Sequence, residues 1–70
     1  MDYDEFLTAN QVADLLKLSR AYVYQLIQSG ELPALHFGKS VRVRRQDLIQ
    51  YLHEKVPAPL AKGALELLEE

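Results

Sequence analysis

The sequence contains no cysteine. Disulfide staples, thiolate metal sites and thiol nucleophiles are therefore excluded, and the cytoplasm is the expected compartment. Nor is there an apolar run near the ~20 residues that a membrane-spanning helix needs. The opening stretch Met1-Asp2-Tyr3-Asp4-Glu5 is acidic and lacks a basic region followed by an apolar block, so no secretory signal is expected. P-loops, dinucleotide fingerprints and Ser/His/Asp arrangements are missing too. The two histidines, His36 and His53, have no carboxylate pair at ligand spacing, which points to structural or surface roles. No metal, cofactor or small-molecule substrate is expected. A domain of 70 residues buries only about 60% of its unfolded surface, and hollowing it for a substrate pocket would remove much of its core. A binding module is the better expectation; an enzyme is not expected.

What is present is the balance of one small globular domain, with 49% hydrophobic and 26% charged residues. The net charge of −2 hides an asymmetry. Asp2, Asp4 and Glu5 give residues 1–7 a charge of −3. Residues 8–53 carry Lys17, Arg20, Lys39, Arg42, Arg44 and Arg45 against Asp14, Glu31 and Asp47, which leaves +3. Residues 54–70 carry Lys55 and Lys62 against Glu54, Glu66, Glu69 and Glu70, which leaves −2. The body is basic between acidic ends, and a polyanion responds to that local field rather than to the total.

The elements follow from caps and periods. Thr8 and Gln11 form a capping box, Leu7 and Val12 the matching staple, and Val12, Leu15 and Leu16 an apolar stripe: a helix from about Ala9 to Lys17. Ser19 caps a second helix over about Arg20–Gln28, with Val23, Leu26 and Ile27 inward and Gly30 beyond its end. The period then changes. Leu35 and Phe37 alternate with Ala34 and His36, and Val41 and Val43 alternate with Arg42 and Arg44, across Gly38-Lys39-Ser40. That pattern predicts a β-hairpin with one apolar face and His36 on its outer side. A third helix is expected from about Gln46 to Lys55, stopped by Pro57 and Pro59. Residues 60–70 place Leu60, Ala64, Leu67 and Leu68 on one stripe of a short amphipathic helix. The expected organisation is an acidic tail over 1–6, a winged helix-turn-helix over 7–55, and a Pro-containing linker with the amphipathic helix over 56–70. The expected fold is mainly α with a small β-hairpin: helix-turn-helix, two-stranded wing, third helix.

The outer face of the second helix bears no acid. Ala21, Tyr24, Gln25 and Gln28 face outward, with Arg20 and Tyr22 on the flanks. Ala21 permits close approach, Gln25 can pair bidentately with an adenine edge, and Tyr22 and Tyr24 can reach phosphates or thymine methyls. Lys39, Arg42, Arg44 and Arg45 crowd four cations into seven residues of the wing. They repel one another unless a polyanion neutralises them.

In these residues the chain resembles the excisionase-type helix-turn-helix family, which is related to the DNA-binding domains of MerR-type regulators. The resemblance runs over about residues 7–53, through Leu7-Thr8, Gln11-Val12-Ala13, Leu16, Leu18-Ser19-Arg20, Val23-Tyr24, Leu26-Ile27, Gly30, Leu32-Pro33-Ala34, Phe37-Gly38-Lys39, Arg42-Val43-Arg44-Arg45, Asp47-Leu48 and Tyr51-Leu52. It implies a second helix in a major groove, a wing against the backbone or minor groove, and a role as a phage or plasmid excisionase or a small transcription regulator. The chain departs from the family where Tyr22 replaces Thr, Gln25 replaces Arg or Lys, and His36 replaces Arg.

The expectation is sequence-specific binding of double-stranded DNA. Ser19, Arg20, Ala21, Tyr22, Tyr24 and Gln25 are the candidate major-groove residues. His36, Lys39, Ser40, Arg42, Arg44 and Arg45 are the candidate wing contacts, and Asn10 is a further phosphate contact or a capping residue. Neutralising about five phosphates would give a log–log salt slope of about −4 to −5. One module of this size rarely gives nanomolar affinity, so self-association or cooperative binding is expected, and the resemblance adds an integrase as partner. The competing expectation is a protein-interaction module of the same fold that has lost DNA.

Overall fold

The computed structural model describes residues 6–69. In chain order the elements are β1 (Phe6–Thr8), α1 (Ala9–Leu16), α2 (Arg20–Gln28), β2 (Leu35–Phe37), β3 (Ser40–Arg44), α3 (Arg45–Lys55) and α4 (Ala58–Leu68). This is a mainly helical winged helix-turn-helix with a small antiparallel sheet of order β1-β3-β2. Among the described residues, no helix is long and apolar enough to cross a membrane.

Local chemistry sets the helix ends. Thr8 Oγ1 accepts from the Gln11 amide at 3.0 Å while Gln11 Oε1 accepts from the Thr8 amide at 2.8 Å, the reciprocal box that starts α1. The helix closes one residue earlier than its period predicts. Lys17 takes the left-handed conformation (φ 59°), and the Leu18 amide donates back to the Ala13 carbonyl at 3.0 Å. Ser19 Oγ then accepts from the Tyr22 amide at 3.1 Å and starts α2 after a turn of only three residues. Gly30 (φ 85°) ends α2, and the Leu32 amide reaches back to the Leu26 carbonyl at 3.1 Å. That reversal drops Leu32 into the centre of the core, where it is fully buried with Val12, Val23, Val43, Leu48 and Leu52.

Two parts of the sheet differ from the sequence expectation. The first is β1, which pairs with β3 through Phe6↔Arg44, Leu7↔Val43 and Thr8↔Arg42. Phe6 is therefore part of the sheet, and β3 becomes its central strand. The second is the register of the wing. The loop is two residues, Gly38-Lys39, with Gly38 at φ 63° as a primed hairpin turn requires, so Phe37 pairs with Ser40, His36 with Val41 and Leu35 with Arg42. Directly paired residues share a face, and faces alternate along a strand. His36 consequently shares the face of Val41, Val43 and Leu7, while Leu35 and Phe37 fall on the opposite face with Ser40 and Arg42. The predicted single apolar face does not form: His36 shares the face of Val41 yet stays exposed at the sheet edge, and Leu35 and Phe37 are exposed on the other face. A loop counted one residue too long flips a whole strand, because the side-chain period is two.

The C-terminal helix also starts earlier than expected. Pro59 lies in the first turn of α4, where its missing N–H leaves no bond unmade, so it begins a helix rather than ending one. Ala61, Ala64 and Leu68 face the core against α3 and α1. Leu60 and Leu67, placed on the same stripe by spacing, are instead 77% and 60% exposed.

Candidate nucleic-acid interface

The turn between α1 and α2 and the strand β3 bring residues distant in sequence to one open cleft of about 240 Å³. Its lining includes Asn10 from the first turn of α1, Arg20 and Tyr24 one turn apart on α2, and Lys39, Ser40 and Arg42 from the wing. Thr8 is there too, because β1 sets it opposite Arg42. Among the described residues, no carboxylate lines this cleft. Arg20 stacks over the Tyr24 ring at 5.5 Å from the centroid, which orients the cation and holds the aromatic against the body of the domain. Tyr24, placed outward by its spacing, is half-buried and packs against the core. The Arg42 guanidinium donates through Nη1 to the Val41 carbonyl at 2.9 Å and keeps its remaining donors for other partners. Among the described residues, Arg20, Lys39 and Arg42 make no ion pair. Three cations around a cleft that no described carboxylate lines create a positive potential that favours an anion.

Other residues singled out from the sequence are not in the cleft. Ala21 and Gln25 are exposed on α2, each one position round the helix from Arg20 and Tyr24. Ser19 is committed to its cap. His36 stands exposed on β2. Arg44 is held by Asp47 in a two-pronged ion pair, Nε–Oδ2 at 3.0 Å and Nη2–Oδ1 at 3.4 Å. Arg45 is half-buried as the first residue of α3, its Nε enclosed without a partner among the described residues. The wing's four-cation cluster thus divides: Lys39 and Arg42 line the cleft, while Arg44 and Arg45 belong to the start of α3. Thr8 is a lining residue that sequence reasoning read only as a cap; its strand pairing, invisible in three residues, was the missing signal.

Tyr22 leaves the site altogether. It is 46% exposed and lines an apolar groove of about 590 Å³ elsewhere on the domain, together with Leu18, Tyr51, Leu60, Gly63 and Leu67. Tyr51, partly buried there, has its phenol pKa raised above 10.0, first by burial and then by the negative charge of Glu31 and the neighbouring Tyr22.

Comparison with known proteins agrees with the fold. A family model described as "Helix-turn-helix domain" matches residues 6–56. The chain is 50% identical over 44 residues to the uncharacterized protein YvgK of Bacillus subtilis (strain 168), a match covering 63% of this chain and 14% of that protein. It is 46% identical over 39 residues to the "Putative DNA-binding protein Rv0500A" of Mycobacterium tuberculosis (strain ATCC 25618 / H37Rv), covering 56% of this chain and 50% of that one. The uncharacterized protein Rv2310 of the same strain is 47% identical over 45 residues, 64% of this chain and 40% of its own length. The chain therefore spans half or less of the length of each of these relatives. No solved structure matches it. With the family model running from the first residue of β1 to one residue beyond α3, the chain belongs to the helix-turn-helix domain family.

Proposed function

We propose that the protein binds double-stranded DNA, with α2 presented to the major groove and the wing to the flanking backbone. The observation that carries this reading is the cleft between α2 and the wing, where Arg20, Lys39 and Arg42 converge with no described carboxylate among them. Family membership and the name of the M. tuberculosis relative support the same reading. In it, Arg20, Lys39 and Arg42 neutralise phosphates, Asn10 and Ser40 donate to phosphate oxygens, and exposed Gln25 reads a base edge beside Ala21. Tyr24 acts mainly by fixing Arg20. The biological role that fits is an excisionase-like recombination directionality factor or a small transcription regulator acting in the cytoplasm.

Cooperation between copies belongs to the same proposal. A single module makes too few contacts for tight specific binding, and the groove beside Leu60 and Leu67 is a surface that a second copy, or an integrase, would cover. Gly63 supports this, since it sits in mid-helix on the groove wall and, its own helix backbone aside, no described residue lies within 4 Å of where its Cβ would be. The fold does not require glycine there, although glycine costs about 1 kcal/mol relative to alanine in a helix; a closely approaching helix would.

Selection from a random duplex pool tests the reading. Enrichment of a motif whose preference at one position is blurred by Gln25→Ala is the expected result. Failure to shift any duplex at low salt would instead favour the protein-interaction module.

A further inference from the structure

Among the described residues, six large hydrophobic side chains are exposed, and they fall into two groups. Leu18, Tyr22, Leu60 and Leu67 surround the apolar groove. Leu35 and Phe37 stand apart on the wing, 41% and 58% exposed. The strand that carries them, β2, is an edge strand with all three residues exposed. An apolar edge of this kind invites aggregation unless something covers it. Nothing in the described chain does, and truncating Phe37 would leave no cavity.

The neighbours of Phe37 indicate the partner. The ring sits immediately before the Gly38-Lys39 turn, directly opposite Ser40, and on the same sheet face as Arg42 two residues further on. Leu35, paired with Arg42, follows about 7 Å behind it along the strand. An apolar ring at the tip of a narrow ribbon, with cations at the turn and two residues away, matches a partner that is apolar inside and anionic at its rims. The minor groove of duplex DNA has this character: stacked bases lie between two rows of phosphates, and apolar side chains can wedge between base pairs there.

We propose that Phe37 enters the minor groove as a wedge, partly unstacking one base step while Lys39 and Arg42 hold the phosphates on either side. This rests on the DNA-binding reading above and adds a source of specificity that makes no hydrogen bond. Pyrimidine–purine steps, TA and CA/TG, unstack at least cost. The protein will therefore prefer such a step under the wing, at a position that neither Gln25 nor Arg20 reaches.

The experiment compares duplexes selected from a random 30-base-pair pool by the wild-type protein, Phe37→Ala and Phe37→Leu. The selected wild-type duplex is then resynthesised with 2-aminopurine at the preferred step. The wild type should enrich a TA or CA/TG step at fixed distance from the major-groove motif, and the reporter should brighten on binding as its base unstacks. Phe37→Ala should keep the major-groove motif, lose the step preference and the brightening, and bind about tenfold more weakly, the scale of one lost stacking contact. Phe37→Leu, still an apolar wedge, should keep the step preference. Equal affinity and an unchanged step preference for Phe37→Ala would overturn the wedge while leaving DNA binding intact. So would brightening of the reporter with a single-stranded probe only, or a Phe37→Ala effect on sedimentation instead of on binding. Absence of duplex binding by the wild type would overturn both readings together.

Discussion

Two regions of this small domain share a helix and have opposite characters. On one, Arg20 and Tyr24 of α2 meet Lys39 and Arg42 of the wing in a cleft that no described carboxylate lines. On the other, Tyr22 of the same helix joins Leu18, Leu60 and Leu67 around an apolar groove. Nine residues of α2 serve both because residues four apart share a side of a helix, whereas a step of two crosses to the other. The cleft is assembled by strand pairing, since the register of β3 sets Arg42 beside Thr8. The groove is assembled by helix packing, since Ala61, Ala64 and Leu68 dock α4 and leave Leu60 and Leu67 outside. A change on one side should therefore be silent on the other, unless it strikes the core that joins them.

The largest expected effect is at that junction. Leu48, fully buried, lies between the sheet and the helices, and Leu48→Ala should cost about 2–5 kcal/mol. In a domain this small that is a large part of the total stability, so urea unfolding should show a collapsed midpoint and both surfaces should be lost together. Arg42→Ala should break the cleft alone. Affinity for all duplexes should fall about equally and the salt slope should flatten by about 1, with the thermal midpoint almost unmoved. Asp47→Asn should sharpen the comparison from the other direction by releasing Arg44. Its salt slope should steepen by about 1, while loss of a half-exposed ion pair near a helix start costs no more than about 1 kcal/mol. Leu67→Ala should change stability by no more than about 0.5 kcal/mol and leave the DNA affinity of one copy unchanged, but reduce association in sedimentation.

The smallest effect concerns Tyr51. Its phenol pKa is raised in the folded state, so folding favours the protonated form. That contribution is present below the unfolded pKa of 10.0 and is lost as pH rises through the folded value. Tyr51→Phe should remove this alkaline loss from the pH profile of unfolding and leave the neutral region alone.

The helices were largely legible because their boundaries are written in single side chains: the Thr8–Gln11 box, the Ser19 cap, and Gly30 beyond α2. The sheet was legible in part. Gly38 announced a turn, but the difference between a two- and a three-residue loop decides which of Phe37 and His36 shares a face with Val41, and spacing alone does not carry that. β1 could not be read at all, since Phe6-Leu7-Thr8 has no pattern of its own and becomes a strand only through Val43 and its neighbours. Spacing puts Tyr24 on the outer face of α2 and Tyr22 on its flank, both within reach of a phosphate or a thymine methyl. They separate because Tyr24 leans onto the core under Arg20, whereas Tyr22 meets the far groove. Arg44 looked like Arg42 until Asp47, three residues on, engaged it.

The central claim is that Arg20, Lys39 and Arg42 together confront phosphate. Titrating the wild-type protein onto a duplex from 50 to 300 mM salt tests it most directly. With Arg44 held by Asp47, three neutralised phosphates predict a log–log slope of about −3 per bound copy. A flat dependence, or a slope unchanged when Arg20, Lys39 and Arg42 are all replaced by Ala, would contradict the account.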